Sequence, residues 1–263
     1  MTVAIVGAGI SGLACAAELA PGERVEVFDR IPVAGGVHGW RASETVSLQR
    51  AAVRAGAALR LGVTAIRWEG GQLLAVGPDG VYRLTAAALV VAAGTRPLTR
   101  AELGLAGGRP AGVVPAPVAC HLAENGLLAG RRPCVVGGGD WAHRACHELL
   151  AAGATSVTVL APDGVRRAMP DGVDVVEGLS PVAVEGGPRV TALIAGDERI
   201  ACDAVVLAHG LAPLRNVEGA VWDAPDVVHA QPLDDPATVA GAREAGLRAA
   251  AAVRILLGSE AAA

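Results

Sequence analysis

Val3-Ala4-Ile5-Val6-Gly7-Ala8-Gly9-Ile10-Ser11-Gly12-Leu13-Ala14-Cys15 is the stretch from which the fold can be read. Four apolar residues of strand type run into glycines at the first, third and sixth positions of a turn. An Ala/Leu-rich stretch of helical character follows. The pattern predicts a strand over Val3–Val6, a helix over Ser11–Leu19, a turn at Pro21-Gly22 and a second strand over Arg24–Phe28. Asp29 then stands 22 residues beyond Gly7. Each part has a chemical reason in a dinucleotide site. Gly7 permits the tight turn, Gly9 lets the backbone approach a pyrophosphate, and Gly12 allows close helix packing. Asp29 accepts from the ribose hydroxyls of an adenosine, and the helix N-terminus offers its positive partial charge to the phosphates. The plainer alternative is a tight structural turn.

The same unit occurs twice. Pro133–Val136 reads as a strand, Gly137-Gly138-Gly139-Asp140-Trp141-Ala142 as the turn, Asp140–Ala152 as the helix and Ser156–Leu160 as the next strand. Aligning the units puts Ala161 where Asp29 stands, so the ribose-gripping acid is missing. Arg166 and Arg167 lie further on, where a 2′-phosphate would suit them. A retained fold with an empty or repurposed cleft is the alternative here. Duplication predicts an α/β chain of two Rossmann-like nucleotide-binding lobes, doubly wound and three-layered, with the second inserted in the first. The first lobe is expected to comprise residues 1–105 and 205–263 and the second 106–204. The Pro/Gly-rich Gly104–Pro117 is the candidate linker, and the return crossing is expected near Ala204–Leu214.

Between the units, Thr45–Ala55 is predicted helical with Ser43 as N-cap. Ala58–Trp68, Gln72–Gly77 and Val81–Thr85 are predicted to form a meander that turns at Asp79-Gly80. Leu89–Gly94 reads as a buried strand ending in glycine, a shape that Asp203–Gly210 repeats, and Ala237–Leu257 reads as a last long helix.

Composition excludes whole classes. Hydrophobic residues are 52% and charged ones 18%, far from the disordered regime. A net charge of −4 with no basic stripe removes the footing for nucleic acid. Ala86–Gly94 and Ala249–Gly258 are too short, or carry an Arg, for a membrane span. The opening residues lack a charged region and cleavage site, so a cytoplasmic location is expected. Five cysteines, odd in number and never in a Cys-x-x-Cys pair, argue against a disulfide framework and a dithiol redox centre. Aromatics at 2% leave the core to Ala, Val and Leu.

Taken together, these residues resemble the two-dinucleotide-binding-domain flavoprotein family, which includes thioredoxin reductase and the pyridine-nucleotide disulfide reductases. The resemblance spans nearly the whole chain and implies FAD. The implied contacts are Gly7, Gly9, Ile10, Ser11, Gly12, Asp29 and Arg30, with Gly35-Gly36 beside the ribityl chain. Val63 or Thr64 would meet the adenine, and Ala92-Ala93-Gly94 matches the family's strand end. Gly137, Gly139 and Asp140 would hold NADP or NAD. Within the family, Arg109–Val114 and the following Gly137–Asp140 turn are similar to flavin subunits of hydrogen cyanide synthase, opine oxidase and hydroxyproline dehydrogenase complexes.

Departures from the pattern also carry information. The family's late Gly-Asp is replaced by Gln231-Pro232-Leu233-Asp234-Asp235, where Asp234 or Asp235 would serve the flavin. Arg144 stands where a Glu is expected near the nicotinamide, and Trp141 is bulky at the helix start. Without a Cys pair, disulfide reduction is not expected. The implied activity is that of an FAD-dependent oxidoreductase, a flavin subunit of an amine or amino-acid dehydrogenase-type or other redox complex acting on a small molecule. Alternatives are an NAD(P)H-dependent flavin reductase acting alone and a noncatalytic nucleotide-binding partner subunit. Only about 26 residues separate Gly36 from Val63, so a partner subunit or self-association is expected over the flavin edge. No catalytic side chain is singled out, because hydride transfer to a flavin needs none. Weaker constellations are His143, Cys146 and His147 as metal ligands, Cys120-His121 as a nucleophile pair, and His38 and Trp40 near the flavin edge.

Overall fold

The computed structural model describes residues 1–214, 217–220, 224–231 and 238–260. The chain forms two compact units, Met1–Thr95 with Pro213–Ala263, and Arg96–Ala212.

In chain order the first unit opens with β1 (Thr2–Val6), α1 (Ile10–Leu19), β2 (Arg24–Asp29), α2 (Ser43–Ala55) and β3 (Ala58–Leu61). The antiparallel meander β4 (Thr64–Glu69), β5 (Gln72–Gly77) and β6 (Gly80–Thr85) follows, then β7 (Ala88–Val91). β8 (Thr95–Pro97) leads into the second unit, built from β9 (Val113–Pro115), α3 (Ala116–Glu124), β10 (Pro133–Val136), α4 (Asp140–Ala151), β11 (Val157–Ala161) and β12 (Val173–Glu177). Its own meander is β13 (Pro181–Gly186), β14 (Val190–Ala195) and β15 (Glu198–Ala201), and β16 (Ala204–Leu207) completes it. β17 (Leu211–Pro213) leads back to β18 (Val227–His229) and α5 (Val239–Glu260).

Each unit is centred on a five-stranded parallel sheet, ordered β18-β7-β1-β2-β3 in the first and β12-β11-β10-β16-β9 in the second. Parallel sheets are covered on both faces, so the inner strands β1, β7, β10 and β16 are near-continuous apolar runs rather than alternating. In β1 the period of two sends Val3 and Ile5 to the cluster shared with α1, α2 and α5, and Ala4 and Val6 to the cluster shared with the meander. The third layer of the first unit is therefore an antiparallel sheet. With Phe28 as the sole phenylalanine, close approach of backbones replaces bulk. A Cβ at Gly246 of α5 would lie 2.2 Å from the Ser11 carbonyl oxygen of α1, so only glycine lets these helices meet at that distance. Arg254 of α5 fastens the contact by pairing with the Glu18 carboxylate at 2.8 Å.

The structure changes three local expectations. Ser43 is the first residue of α2 rather than its cap. Ala42 is the N-cap, and the Ser43 hydroxyl donates to Glu44 at 2.7 Å instead of capping the helix. Ala58–Trp68 is two strands, because Gly62 at φ +76° turns the chain out of the parallel sheet and into the meander. Gly104–Pro117 is no linker. It lies inside the second unit, where Ala106 and Ala111 bridge to Ala183 and Arg189, while the crossings are β8 and β17, which pair with each other. The last helix covers Val239–Glu260, and Ala237 lies outside the described residues. No described helix is long and apolar enough to cross a membrane.

All five cysteines are buried and free. Burial pushes the thiols of Cys15 and Cys146 up to about 12 and those of Cys120 and Cys202 to about 11, with Cys134 raised as well, from an ordinary 9.0. Native protein at pH 8 is therefore expected to resist iodoacetamide and to take up the reagent on all five thiols in denaturant. The linkage sign is also fixed. An unfolded chain ionises its thiols near 9 while the folded chain keeps them neutral, so this contribution is intact below about pH 9 and is lost as pH rises towards 11–12. Denaturant midpoints that stay flat from pH 8 to 11 would contradict it.

Candidate functional site

The first unit gathers its glycine turn, its acid and its second glycine loop at the C-terminal end of the parallel sheet, where open α/β sheets bind ligands. Gly7 has φ +113°, and a Cβ there would stand 2.2 Å from the Ala92 carbonyl oxygen, so the turn after β1 lies flat against the end of β7. A Cβ at Gly12 would stand 1.9 Å from the Gly7 carbonyl oxygen, which makes this glycine the seat of α1 on the turn. Gly9 differs. It caps α1 with extended backbone, and nothing lies within 4 Å of the Cβ it lacks. Two glycines are thus demanded by the protein itself, and the third keeps clear a space at a helix N-terminus that has no side-chain cap.

Asp29, at the end of β2, accepts from the Ala8 amide at 2.7 Å and from the Ile31 amide at 2.8 Å. Each oxygen uses one lone pair in this way and keeps further acceptor capacity. Gly35 donates to the Ala8 carbonyl oxygen at 2.8 Å and bridges to Gly9, and Gly36 follows within 3.5 Å of the Gly9 Cα, measured from its ideal Cβ. The Val63 amide donates to the Asp29 carbonyl oxygen at 2.8 Å, which brings Val63 and Thr64 to the same edge. Ala92, Ala93 and Gly94 follow β7, with the Ala92 amide bonded to the Val6 carbonyl oxygen. Ile10 and Ser11 are buried, and Arg30 is exposed. Trp40 is 52% exposed with Arg41 stacked 4.5 Å over its ring. Asp234 and Asp235 lie outside the described residues.

In the second unit Gly137, at φ +130°, closes on Ala208, and Gly138 is met by the Gly164 carbonyl oxygen, 2.0 Å from its ideal Cβ. Gly139 is open except for the Arg166 side chain, whose Cδ comes to 4.0 Å. Arg166 also donates its amide to the Gly138 carbonyl oxygen at 2.9 Å. Its place is over Gly139 rather than at the end of β11. Ala161 is fully buried, and its register partner on β12 is Glu177, whose carboxylate accepts from the Val165 amide at 2.9 Å. Glu177 thus brings an acid beside the position that lacks one. Only the pairing of β11 with β12 reveals it, since nothing in its local sequence marks it. His209 and Asp163 approach to 3.8 Å at the same end of this sheet.

Trp141 is 4% exposed and lies under Arg144, 5.5 Å away, so the indole is packed in rather than standing across an open path. Arg144 is held by Glu124 of α3 at 3.0 Å. His143 and His147 lie one turn apart on α4, but Cys146 does not join them at the surface. Cys146 is fully buried while the His147 side chain is 68% exposed, and no described group of three or more His, Cys, Asp or Glu is arranged for a metal. Cys120 is buried and its neighbour His121 exposed, so the two do not form a pair.

Residues 5–62 match the NAD(P)-binding Rossmann-like domain, the region from β1 through the Gly62 turn. No curated protein matches the chain. Among solved structures, thioredoxin reductase of T. acidophilum shares 21% identity at TM-score 0.67, over 95% of this chain and 96% of that one. Lactococcus lactis thioredoxin reductase shares 18% at TM-score 0.69 over 98% and 99%. L-proline dehydrogenase of P. horikoshii shares 17% at TM-score 0.62, over 98% of this chain and 56% of that one. The chain has the α/β fold of these reductases, two Rossmann-like lobes each on its own parallel sheet.

Proposed function

We propose that the chain is an FAD-dependent oxidoreductase whose first unit holds the flavin dinucleotide and whose second holds NADP or NAD. The observation that carries this reading is the contrast at the first glycine turn. Gly7 and Gly12 are closed by protein, and Gly9 alone is open, beside Asp29 and Gly35-Gly36. A pyrophosphate fits that space, with adenosine ribose on Asp29 and adenine along Val63-Thr64. FAD, when bound, supplies the acceptor for a hydride or electrons. The protein's part is to bind and orient it: α1 presents unpaired amides to the diphosphate, and Asp29 fixes the adenosine end.

Titles of similar folds, thioredoxin reductase, NADH oxidase and L-proline dehydrogenase among them, name reactions of this class for those proteins. Within that class we favour a subunit of an amine- or amino-acid-oxidising complex. The segment after β2 is short and exposes Ile31, Val33, Val37 and Trp40, an apolar run suited to a partner or a second copy over the flavin edge. In the second unit Arg144 is engaged with Glu124, which favours weak use of NADH.

The test is an absorbance spectrum of the purified protein, then anaerobic titration with NADH, NADPH and candidate amines and amino acids. A yellow protein bleached by an amine or amino acid supports the proposal. Rapid bleaching by micromolar NADH, with full turnover as a monomer, would favour the flavin reductase acting alone. A colourless protein that takes up no FAD would overturn flavin chemistry and leave a noncatalytic nucleotide-binding subunit.

A further inference from the structure

Four exposed arginines meet at the amino-terminal end of the second unit's parallel sheet, the end opposite its glycine turn. Arg109 lies in the loop before β9, Arg131 and Arg132 stand directly before β10, and Arg189 stands directly before β14. Hydrogen bonds hold these segments side by side. The Ala111 amide donates to the Pro188 carbonyl oxygen at 2.9 Å, and the Arg189 guanidinium donates to the Ala129 carbonyl oxygen at 2.6 Å. Asp203, just before β16, accepts from the Arg132 amide at 2.7 Å and from the Arg131 amide at 3.0 Å, one on each oxygen. A Cβ at Gly130 would stand 2.3 Å from an Asp203 carboxylate oxygen and 2.9 Å from the Ala204 Cβ, so glycine is what lets the two-arginine turn seat there. The backbone of the turn is thus pinned, and its charged side chains are left to solvent.

Acid is missing where these arginines gather. Segments 105–112, 125–132 and 186–190 contain no Asp or Glu. Acids on the bordering elements are engaged elsewhere, Glu102 with Arg96, Glu124 with Arg144 and Glu185 with Arg199, and none of the four arginines has an ion pair among the described residues. Arg100 adds a further charge beside Arg109, its guanidinium held by the carbonyl oxygens of Leu105, Ala106, Gly107 and Gly108. In a chain of net charge −4 this is a local reversal of sign. Guanidinium groups collected without carboxylates repel one another, a cost that an anionic partner removes. Leu127, in the segment before β10, is 58% exposed.

We infer that this end of the second unit docks an acidic segment of a partner protein, with carboxylates on the arginines and an apolar side chain over Leu127. The chain has no lysine, and the planar fork of arginine matches a carboxylate with two parallel hydrogen bonds. Arginine set beside exposed apolar surface is also the composition that protein interfaces favour. No aromatic residue lies in the three segments to stack a base, and a single exposed leucine is little to anchor in lipid. A second copy laid face to face would set arginine against arginine. The inference stands apart from the dinucleotide reading and does not depend on bound flavin.

The experiment is fluorescence anisotropy of a labelled peptide of about twelve residues, Glu and Asp with two Leu, at about 50 mM salt, where screening is weak. Arg131→Glu combined with Arg132→Glu is expected to raise the peptide's dissociation constant about tenfold or more. Arg50→Glu combined with Arg54→Glu makes the same charge change on α2 of the first unit and is expected to alter it less than about twofold. Equal losses in the two variants would overturn the inference, because net charge alone would then explain binding. So would a wild-type protein that leaves the peptide unbound. Phosphatidylserine vesicles or a DNA duplex bound more tightly than the peptide, and lost with the same two arginines, would overturn it in favour of a membrane or nucleic acid. Melting temperatures are expected to match wild type, since only the amides of Arg131 and Arg132 hold the turn. Should glutamate beside Asp203 prevent folding, Arg109→Gln combined with Arg132→Gln removes charge without reversing it, and about a threefold loss of peptide affinity is expected.

Discussion

Gly9→Val is expected to give a folded protein emptied of flavin, and Gly12→Ala a protein whose first unit melts several degrees lower. The two glycines are three residues apart in one turn, and the difference lies in what surrounds them. A side chain at Gly9 meets no protein atom within 4 Å and needs no unusual backbone, so valine there is accommodated by the fold. It instead fills the space in front of the α1 amides, where a diphosphate would be excluded and its charge-assisted bonds lost, an effect of about a hundredfold or more on FAD affinity. A methyl at Gly12 would sit 1.9 Å from the Gly7 carbonyl oxygen, a backbone atom that cannot swing aside. Forced overpacking of this kind costs about 1–3 kcal/mol and at times more, or several degrees in the melting temperature of the first unit. Flavin content and thermal melts of the apo forms test both. Full flavin in Gly9→Val, or an unchanged melt in Gly12→Ala, would refute the account.

Asp29→Ala should weaken FAD binding about a hundredfold and loosen the turn even without ligand. The Asp29 carboxylate ties the Ala8 amide to the Ile31 amide, so its removal strands two donors as well as the ribose grip. A hydrogen bond to a charged group is worth about 1.5–3 kcal/mol. Exposure around Ile31 reduces that share, so about 2–4 kcal/mol in total is reasonable. Asp29→Asn, which keeps one acceptor but turns a donor towards one of the amides, should fall between. Hydrogen exchange at Ala8 and Ile31 separates the structural share from the binding share. FAD affinity within threefold of wild type in Asp29→Ala would contradict the assignment.

What could be read from the chain alone were the features encoded within a few residues of each other. The β1 run, the glycine spacing and the placing of Asp29 are local, and the structure puts Asp29 at the end of β2 against the Ala8 amide. Gly62 is one glycine in Ala58–Trp68, a run of strand character on both sides of it, and nothing in that run says which sheet each half will join. Glu177 was invisible for a related reason. Its nearness to Ala161 is a matter of strand register, which exists only once β12 has paired with β11. Arg166 was seen, but its position over Gly139 depends on a loop folded back onto Gly138.

The mutual pairing of β8 and β17 bears on the order in which this molecule is completed as it is made. Everything the second unit needs is contiguous, from Arg96 to Ala212, and is in hand when β17 has left the ribosome. At that moment the earlier-born unit still lacks β18 and α5. Bringing the edges of so long an excursion together costs roughly 4 kcal/mol of chain entropy for a loop on the order of a hundred residues. Joining β8 to β17 settles that cost before the last strand arrives. Helix α5 then falls onto α1, where Gly246 meets Ser11, and the glycine turn gains support from residues made only after the whole second unit.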